Sequence, residues 1–197
     1  MRMKDSKILV LLAVALLIVV LPSVAVGPDK ATAQEVVAKV REAASTLSKT
    51  GDVAPFNQKQ GPWVWKDTYI FVDDCDKKVV AANPFRPEQV GHDFMSIKDT
   101  RGKNVIPEGW CDAAKKPSGV WIEYWWPKPG EKEGSRKLTY SLSAKGTSYV
   151  VAAGFYDDKA TIAELSKLTG TKQPAALTQH AIRLAKMPFL LRRRKCV

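Results

Sequence analysis

The sequence is poor in the residues on which most site chemistry depends. It holds three cysteines and two histidines in 197 residues. Three cysteines are too few for a disulfide scaffold, and two histidines leave little room for a histidine-rich metal centre. There is no HExxH, no GxSxG, no Walker A loop and no GxGxxG, which removes the sequence signals of zinc proteases, α/β-hydrolases, P-loop enzymes and dinucleotide binders. A hydrolase needs a nucleophile, a base and an orienting group within reach, and no such set is legible. We therefore expect no catalysis, no cofactor and no metal. Asp73, Asp74 and Asp76 cluster, but a calcium loop needs Gly at its sixth position and Glu at its twelfth. Counted from Asp74 those positions hold Val79 and Phe85. The cluster reads instead as a solvated hairpin turn. Gly and Pro number twelve each without a period, which excludes collagen-like and low-complexity classes.

Long apolar runs are equally scarce, with one exception at the start. Arg2, Lys4 and Lys7 outweigh Asp5, and fourteen uncharged apolar residues follow, from Ile8 to Leu21. Pro22 and Ser23 end the run, and Ser23 and Ala25 supply the small residues of a cleavage site. That is the order of a secretory signal peptide over residues 1–25. Extended to Val26 the run reaches 19 residues, about enough to span a bilayer, so an uncleaved inner-membrane anchor is the rival reading. Either one sends the remainder out of the cytoplasm, to the periplasm or beyond.

What is abundant is positive charge: Lys plus Arg total 31 against 20 acids, a net +11. Removing residues 1–25 lowers this by two. Export argues against a nucleic-acid partner. It leaves anionic membrane surfaces, cell-wall polymers or small anions, or a charge that only maintains solubility.

The period of the hydrophobic residues divides the rest. Thr32-x-x-Glu35 is a capping box. Val36, Val37, Val40, Ala43, Ala44 and Leu47 follow at helical spacing, with Gly51 as a stop. The spacing predicts a helix from Thr32 to Thr50 and a loop from Asp52 to Trp65. Short strands are expected at Tyr69–Val72 and Val79–Ala82 about a polar turn, Asp73 to Lys77. Further strands are expected at Val120–Trp126, Leu138–Ala144 and Tyr149–Tyr156, with a long irregular stretch over 83–110. Strands joined by short turns pair antiparallel, giving an α+β fold. Ile162, Leu165 and Leu168 begin short C-terminal helices. A second such helix is expected after Pro174, containing His180, and then a basic tail, Arg192–Lys195, with Cys196.

In an exported chain Cys75 and Cys111 are expected to form a disulfide, closing a loop of about 37 residues worth about 4 kcal/mol in chain entropy. Cys196 is then left over. Six tryptophans, Trp63, Trp65, Trp110, Trp121, Trp125 and Trp126, all precede residue 130. Along Val120–Trp126 aromatics point to both faces. One face packs on a core; the other either lines a pocket or is merely covered.

Several of these segments, in this order, resemble the single Cache domain, the extracytoplasmic PAS-like sensor module. Tyr69-Ile-Phe-Val-Asp-Asp is similar to its first strand. Asn83-Pro84 followed by Val90-Gly91 is similar to its His-Pro…x-Gly segment, with Asn in place of His. Asp99-x-x-Gly102-Lys103 is similar to its D-x-x-G-K turn. Gly119 to Pro129 resembles its Gly-x-Trp-Val-x-Tyr-x-Trp-x-x-Pro strand, and Lys137-x-x-Tyr140 and Gly154-x-Tyr156 complete the set. The resemblance spans Thr32 to Tyr156. It implies a PAS-like antiparallel sheet behind a long N-terminal helix, within a sensor domain over 26–157 followed by an extension over 158–197. It also implies a pocket for a small organic molecule, often a short carboxylate. A carboxylate needs a cation and orienting donors beside an apolar wall. The expected cation is Lys137, the donors Tyr124 and Tyr140, and the wall Trp126, with Tyr69 and His92 as further contacts. The rival to a ligand-binding module is a membrane-anchored structural or interaction protein of the cell envelope.

Overall fold

A computed structural model describes residues 30–170. The signal segment over 1–25, the helix after Pro174 with His180, and the tail with Cys196 lie outside the described residues.

Helix α1 (Ala33–Thr50) forms where the sequence predicts. The Thr32 hydroxyl accepts from the Glu35 N–H, and the Glu35 carboxylate accepts in return from the Thr32 N–H. At the other end Gly51 takes a left-handed conformation and donates its N–H to the Leu47 carbonyl. The apolar stripe from Val36 to Leu47 is buried.

The expected loop before the sheet contains more structure than its composition suggests. A 3₁₀ turn spans Ala54–Asn57, and a two-stranded ribbon pairs β1 (Val64–Trp65) with β2 (Thr68–Tyr69). Lys66 sits at φ 50° in the turn between them. With neither Gly nor Asn there, the usual signal of a tight turn is missing.

Five strands build the main sheet: β3 (Phe71–Asp74), β4 (Val79–Ala82), β5 (Val120–Pro127), β6 (Gly134–Ser143) and β7 (Tyr149–Tyr156). Their order is β4-β3-β7-β6-β5 and all neighbours are antiparallel. The fold is α+β, as expected. One correction matters for the site. Asp73 and Asp74 are not in a solvated turn; they close strand β3 and both are buried. Asp74 is satisfied locally, its Oδ1 accepting from the Asp76 and Lys77 N–H groups. Asp73 points to the other face.

Alternation sorts the sheet into two faces. One face carries Ile70, Val72, Trp121, Leu138, Tyr140, Val151, Ala153 and Phe155 and packs against α1. The opposite face carries Ile122, Tyr124, Trp126 and Val150, and meets residues of the irregular stretch, Phe94, Val105, Ile106 and Trp110. That stretch holds two 3₁₀ turns, Pro87–Gln89 and Phe94–Ser96, and a five-residue helix α2 (Trp110–Ala114). It acts as a cover. A last helix, α3 (Ile162–Thr169), carries a second capping box, Thr161 with Glu164.

Besides backbone bonds along β4, three fastenings hold the cover. Cys75, in the β3–β4 turn, is bonded to Cys111 on α2. The Trp110 indole N–H donates to Ser141 Oγ at 3.2 Å. Asp99 accepts from the backbone of Arg101 and Lys103 within its own turn and from the Trp125 N–H of β5. Where the cover rejoins the sheet, Gly119 has φ 62° and any Cβ would come within 2.5 Å of the Ser141 carbonyl oxygen.

Replacing Cys75 and Cys111 together by Ser should cost about 4 kcal/mol, a fall in melting temperature on the order of 10 °C. Thermal denaturation of the variant beside the oxidised wild type checks this.

Candidate functional site

Between the sheet and its cover lies a cavity of about 30 Å³. Its apolar wall includes Phe71, Val80, Phe94, Val105, Ile106 and Trp126; its polar atoms come from Tyr69, Asp73, Asn83, Gln89 and Tyr124. The aromatic rings brace one another. Tyr69 lies 4.9 Å from Phe85, and Tyr124 meets Trp126 edge-on at 5.8 Å between centroids. The Arg86 guanidinium stands 5.6 Å from the Trp126 ring centre at the margin.

The hydroxyls are held in place. Thr139 Oγ1 donates to Tyr124 Oη at 2.9 Å. The Tyr156 hydroxyl donates to the Pro127 carbonyl at 2.9 Å. Burial raises the pKa of Tyr124 and Tyr156 and pushes that of Tyr69 up to about 12, so all three remain neutral donors at any physiological pH. Asn83, in the position where the family pattern has His, uses its side-chain oxygen to accept from the Phe85 and Arg86 N–H groups. It shapes the start of the cover rather than offering that oxygen to a ligand.

Lys137 sits in the middle of β6, paired with Tyr124 on one side and Tyr156 on the other. It is wholly buried, and its Nζ has no hydrogen-bond partner among the described residues. Its amine lies 4.5 Å from the Tyr69 ring centre, 5.4 Å from Tyr156 and 5.8 Å from Phe71. Ring faces attract a cation, but they accept none of its three N–H bonds as an oxygen would. The side chain reaches this place because β7 has no side chain at Gly154. A Cβ there would fall 2.8 Å from Lys137 Cε and 2.8 Å from the Leu138 carbonyl oxygen. Burial drags the Lys137 pKa down to about 7, and the Asp67 charge opposes it.

The expected residues therefore divide. Tyr69, Tyr124 and Trp126 are on the cavity wall, and Lys137 stands behind the Tyr69 and Phe71 rings rather than on the wall itself. Tyr140 is a correction. It lies three residues from Lys137 in one strand, so the two point to opposite faces. Tyr140 packs on Trp121 beneath α1 and donates its hydroxyl to the Ser118 carbonyl at 3.1 Å. His92 is also corrected. It is exposed, in the loop that caps β4, where only its backbone carbonyl and N–H are bonded. The residue that sequence reasoning missed is Asp73. It is 2% exposed, lines the cavity, and its carboxylate has no hydrogen bond or ion pair among the described residues. Burial alone pushes its pKa up to about 8. The alternation Phe71, Asp73 along β3 was the available signal.

A family model described as Cache domain matches residues 64–161. This segment belongs to the Cache domain family. Residues 64–161 take in the whole five-stranded sheet, its cover and the cavity. Cache domains are sensor modules that bind ligands without transforming them. The chain is similar to the methyl-accepting chemotaxis protein McpP of Pseudomonas putida, 29% identical over 92 residues, which are 47% of this chain and 16% of that protein. It is also similar to the sensor histidine kinase MctS of Rhizobium johnstonii, 28% identical over 126 residues, 64% of this chain and 27% of that one. It thus spans about a sixth and about a quarter of these two relatives. Among solved structures it is similar to a Cache chemosensory domain described for its carboxylic acid recognition, with 22% identity and a TM-score of 0.47, covering 64% of this chain and 88% of that one. Among the described residues no helix is long and apolar enough to cross a membrane.

The buried lysine has a testable signature. Its folded pKa is lowered to about 7, so between about pH 7 and pH 10.4 the unfolded chain binds more protons, and stability rises with pH across that window. Lys137→Met removes the cost of burying the charge. It should melt higher than the wild type near neutral pH, by about 4 kcal/mol in stability, and the gap should close toward about pH 10. Melting curves of both proteins over this range provide the check.

Proposed function

We propose that this chain is an extracytoplasmic sensor module that binds a short carboxylate between the sheet and its cover. The observation that carries this reading is the Lys137 amine: fully buried, without a hydrogen-bond acceptor among the described residues, beside a cavity with apolar walls. A buried charge of this kind calls for an oppositely charged partner with hydrogen-bonding oxygens. A carboxylate is that partner. Tyr69 and Tyr124 offer neutral hydroxyls to orient it, and Trp126 closes one apolar side.

The cavity limits size. About 30 Å³ is room for only a few heavy atoms, since one water needs about 10–15 Å³ on the same measure. That favours a two- to three-carbon acid over a long or branched one. The amine stands just behind Tyr69 and Phe71, so the carboxylate reaches it past those rings. Ligand binding would then bear on β2 and β3, the strands that carry them. A separate output partner in the membrane or envelope would convert this into a signal. The leading segment, cleaved or retained, delivers the domain to that side of the membrane.

A thermal-shift panel of small organic acids, amines and amino acids tests the reading. A ligand that binds only the folded state raises the melting temperature by mass action. We expect a saturable shift with acetate or propionate, lost in Lys137→Ala without any fall in the apo melting temperature. Cooperative melting with no shift across the panel would instead point to an interaction role in the envelope, to be pursued by pull-down.

A further inference from the structure

Asp73 is the ionisable carboxyl on the cavity wall, and the carboxylate reading gives it no role. Its strand neighbours are fully engaged: Asp74 holds the turn, and Phe71 faces the lysine amine at 5.8 Å. Asp73 is buried, lines the cavity, and has no hydrogen bond or ion pair among the described residues. Two carboxyl groups cannot both be ionised in a space this small without strong repulsion, and a shared proton resolves it.

The titratable and charged groups around Asp73 support a neutral acid. From β2 and β5 come the hydroxyls of Tyr69 and Tyr124. From β6 comes the Lys137 amine, between the Tyr69 ring and the Tyr156 ring of β7, whose hydroxyl is held by the Pro127 carbonyl. The cover contributes neutral Gln89 and Asn83 on the wall, with Arg86 and Glu88 acting on Tyr69 from the margin. His92 is exposed. No cation is paired with Asp73 among these groups.

We propose that Asp73 contacts the ligand directly and does so as a carboxylic acid, its O–H donating a hydrogen bond to the bound carboxylate. This rests on the carboxylate reading above. One carboxylate oxygen faces the Lys137 side of the site, and the other accepts from Asp73. No covalent bond changes; the complex holds one more proton at Asp73 than the ionised apo site does. Affinity then depends on two protons, one at Lys137 and one at Asp73, and falls as the medium becomes alkaline.

The test is acetate binding to the purified wild type and to Asp73→Asn from about pH 6 to about pH 9, by calorimetry. Asn keeps a donor and cannot titrate. The expected result is that the variant still binds acetate. On the alkaline side its affinity falls about tenfold less per pH unit than that of the wild type, the signature of one proton. Infrared difference spectra of the wild type with ¹³C-acetate give a second measurement that needs no variant. The carboxylic-acid carbonyl band of the protein should persist and shift on binding. Parallel pH profiles, or disappearance of that band on binding, would overturn the role of Asp73 and leave the carboxylate reading standing. Preference of the wild type for methylammonium over acetate, lost in Asp73→Asn, would overturn it in favour of an ionised Asp73 that binds amines. Absence of any acetate or propionate binding to the wild type would overturn both.

Discussion

The arrangement around the cavity depends on one constraint: an ammonium group held out of water in the middle of a sheet. Lys137 occupies a central position on β6, and the chain makes several concessions to keep it there. Gly154 vacates the neighbouring strand so that the lysine stem can lie across it. Tyr69, Phe71 and Tyr156 turn their rings toward the amine. Ring faces soften the loss of hydration but do not replace it. A protein selected only for stability would place Met or Leu at this position. Retaining the amine at that cost fits the proposal that a bound carboxylate completes its surroundings.

The two faces of the sheet divide the labour. The face beneath α1 is close-packed and apolar, from Ile70 to Phe155, and gives the domain its rigidity. The opposite face is covered by a stretch with little regular structure, and that is where the polar atoms collect. The cover brings Asn83 and Gln89 onto the cavity wall, Gln89 from the end of a 3₁₀ turn. It stays in place through a disulfide, an indole bonded to Ser141, and the Asp99 carboxylate that accepts from both its own turn and β5.

Much of this was legible in the sequence because local rules and tertiary demands agree. The capping box and stripe of α1, the aromatic strand β5 and the Cys75–Cys111 bond are of that kind. The β1–β2 ribbon was not legible, since its turn uses Lys66 at positive φ where Gly or Asn is the usual sign. Asp73 was misjudged because three acids near a cysteine look like a solvated turn. Pairing with β4 and β7 on either side carries the strand two residues further. Tyr140 and His92 came from motif order, which says nothing about parity. Lys137 and Tyr140 belong to one motif and, three apart, must face opposite ways.

Strand β5 has a consequence for how the molecule folds. Its apolar residues fall on both faces, so a slip of one residue against β6 would bury almost as much hydrophobic surface as the correct register does. The pattern that normally protects register is absent. Discrimination falls to a few specific partners. Glu123 must meet Arg136, Tyr124 must reach Thr139, the Pro127 carbonyl must receive the Tyr156 hydroxyl, and Gly119 must lie where any side chain would strike Tyr140. Three of these four contacts also border the cavity face or the turn that returns the cover to the sheet. Strand alignment and assembly of the cavity are therefore a single event: a chain that has paired β5 correctly has already built the cavity wall that carries Tyr124 and Trp126.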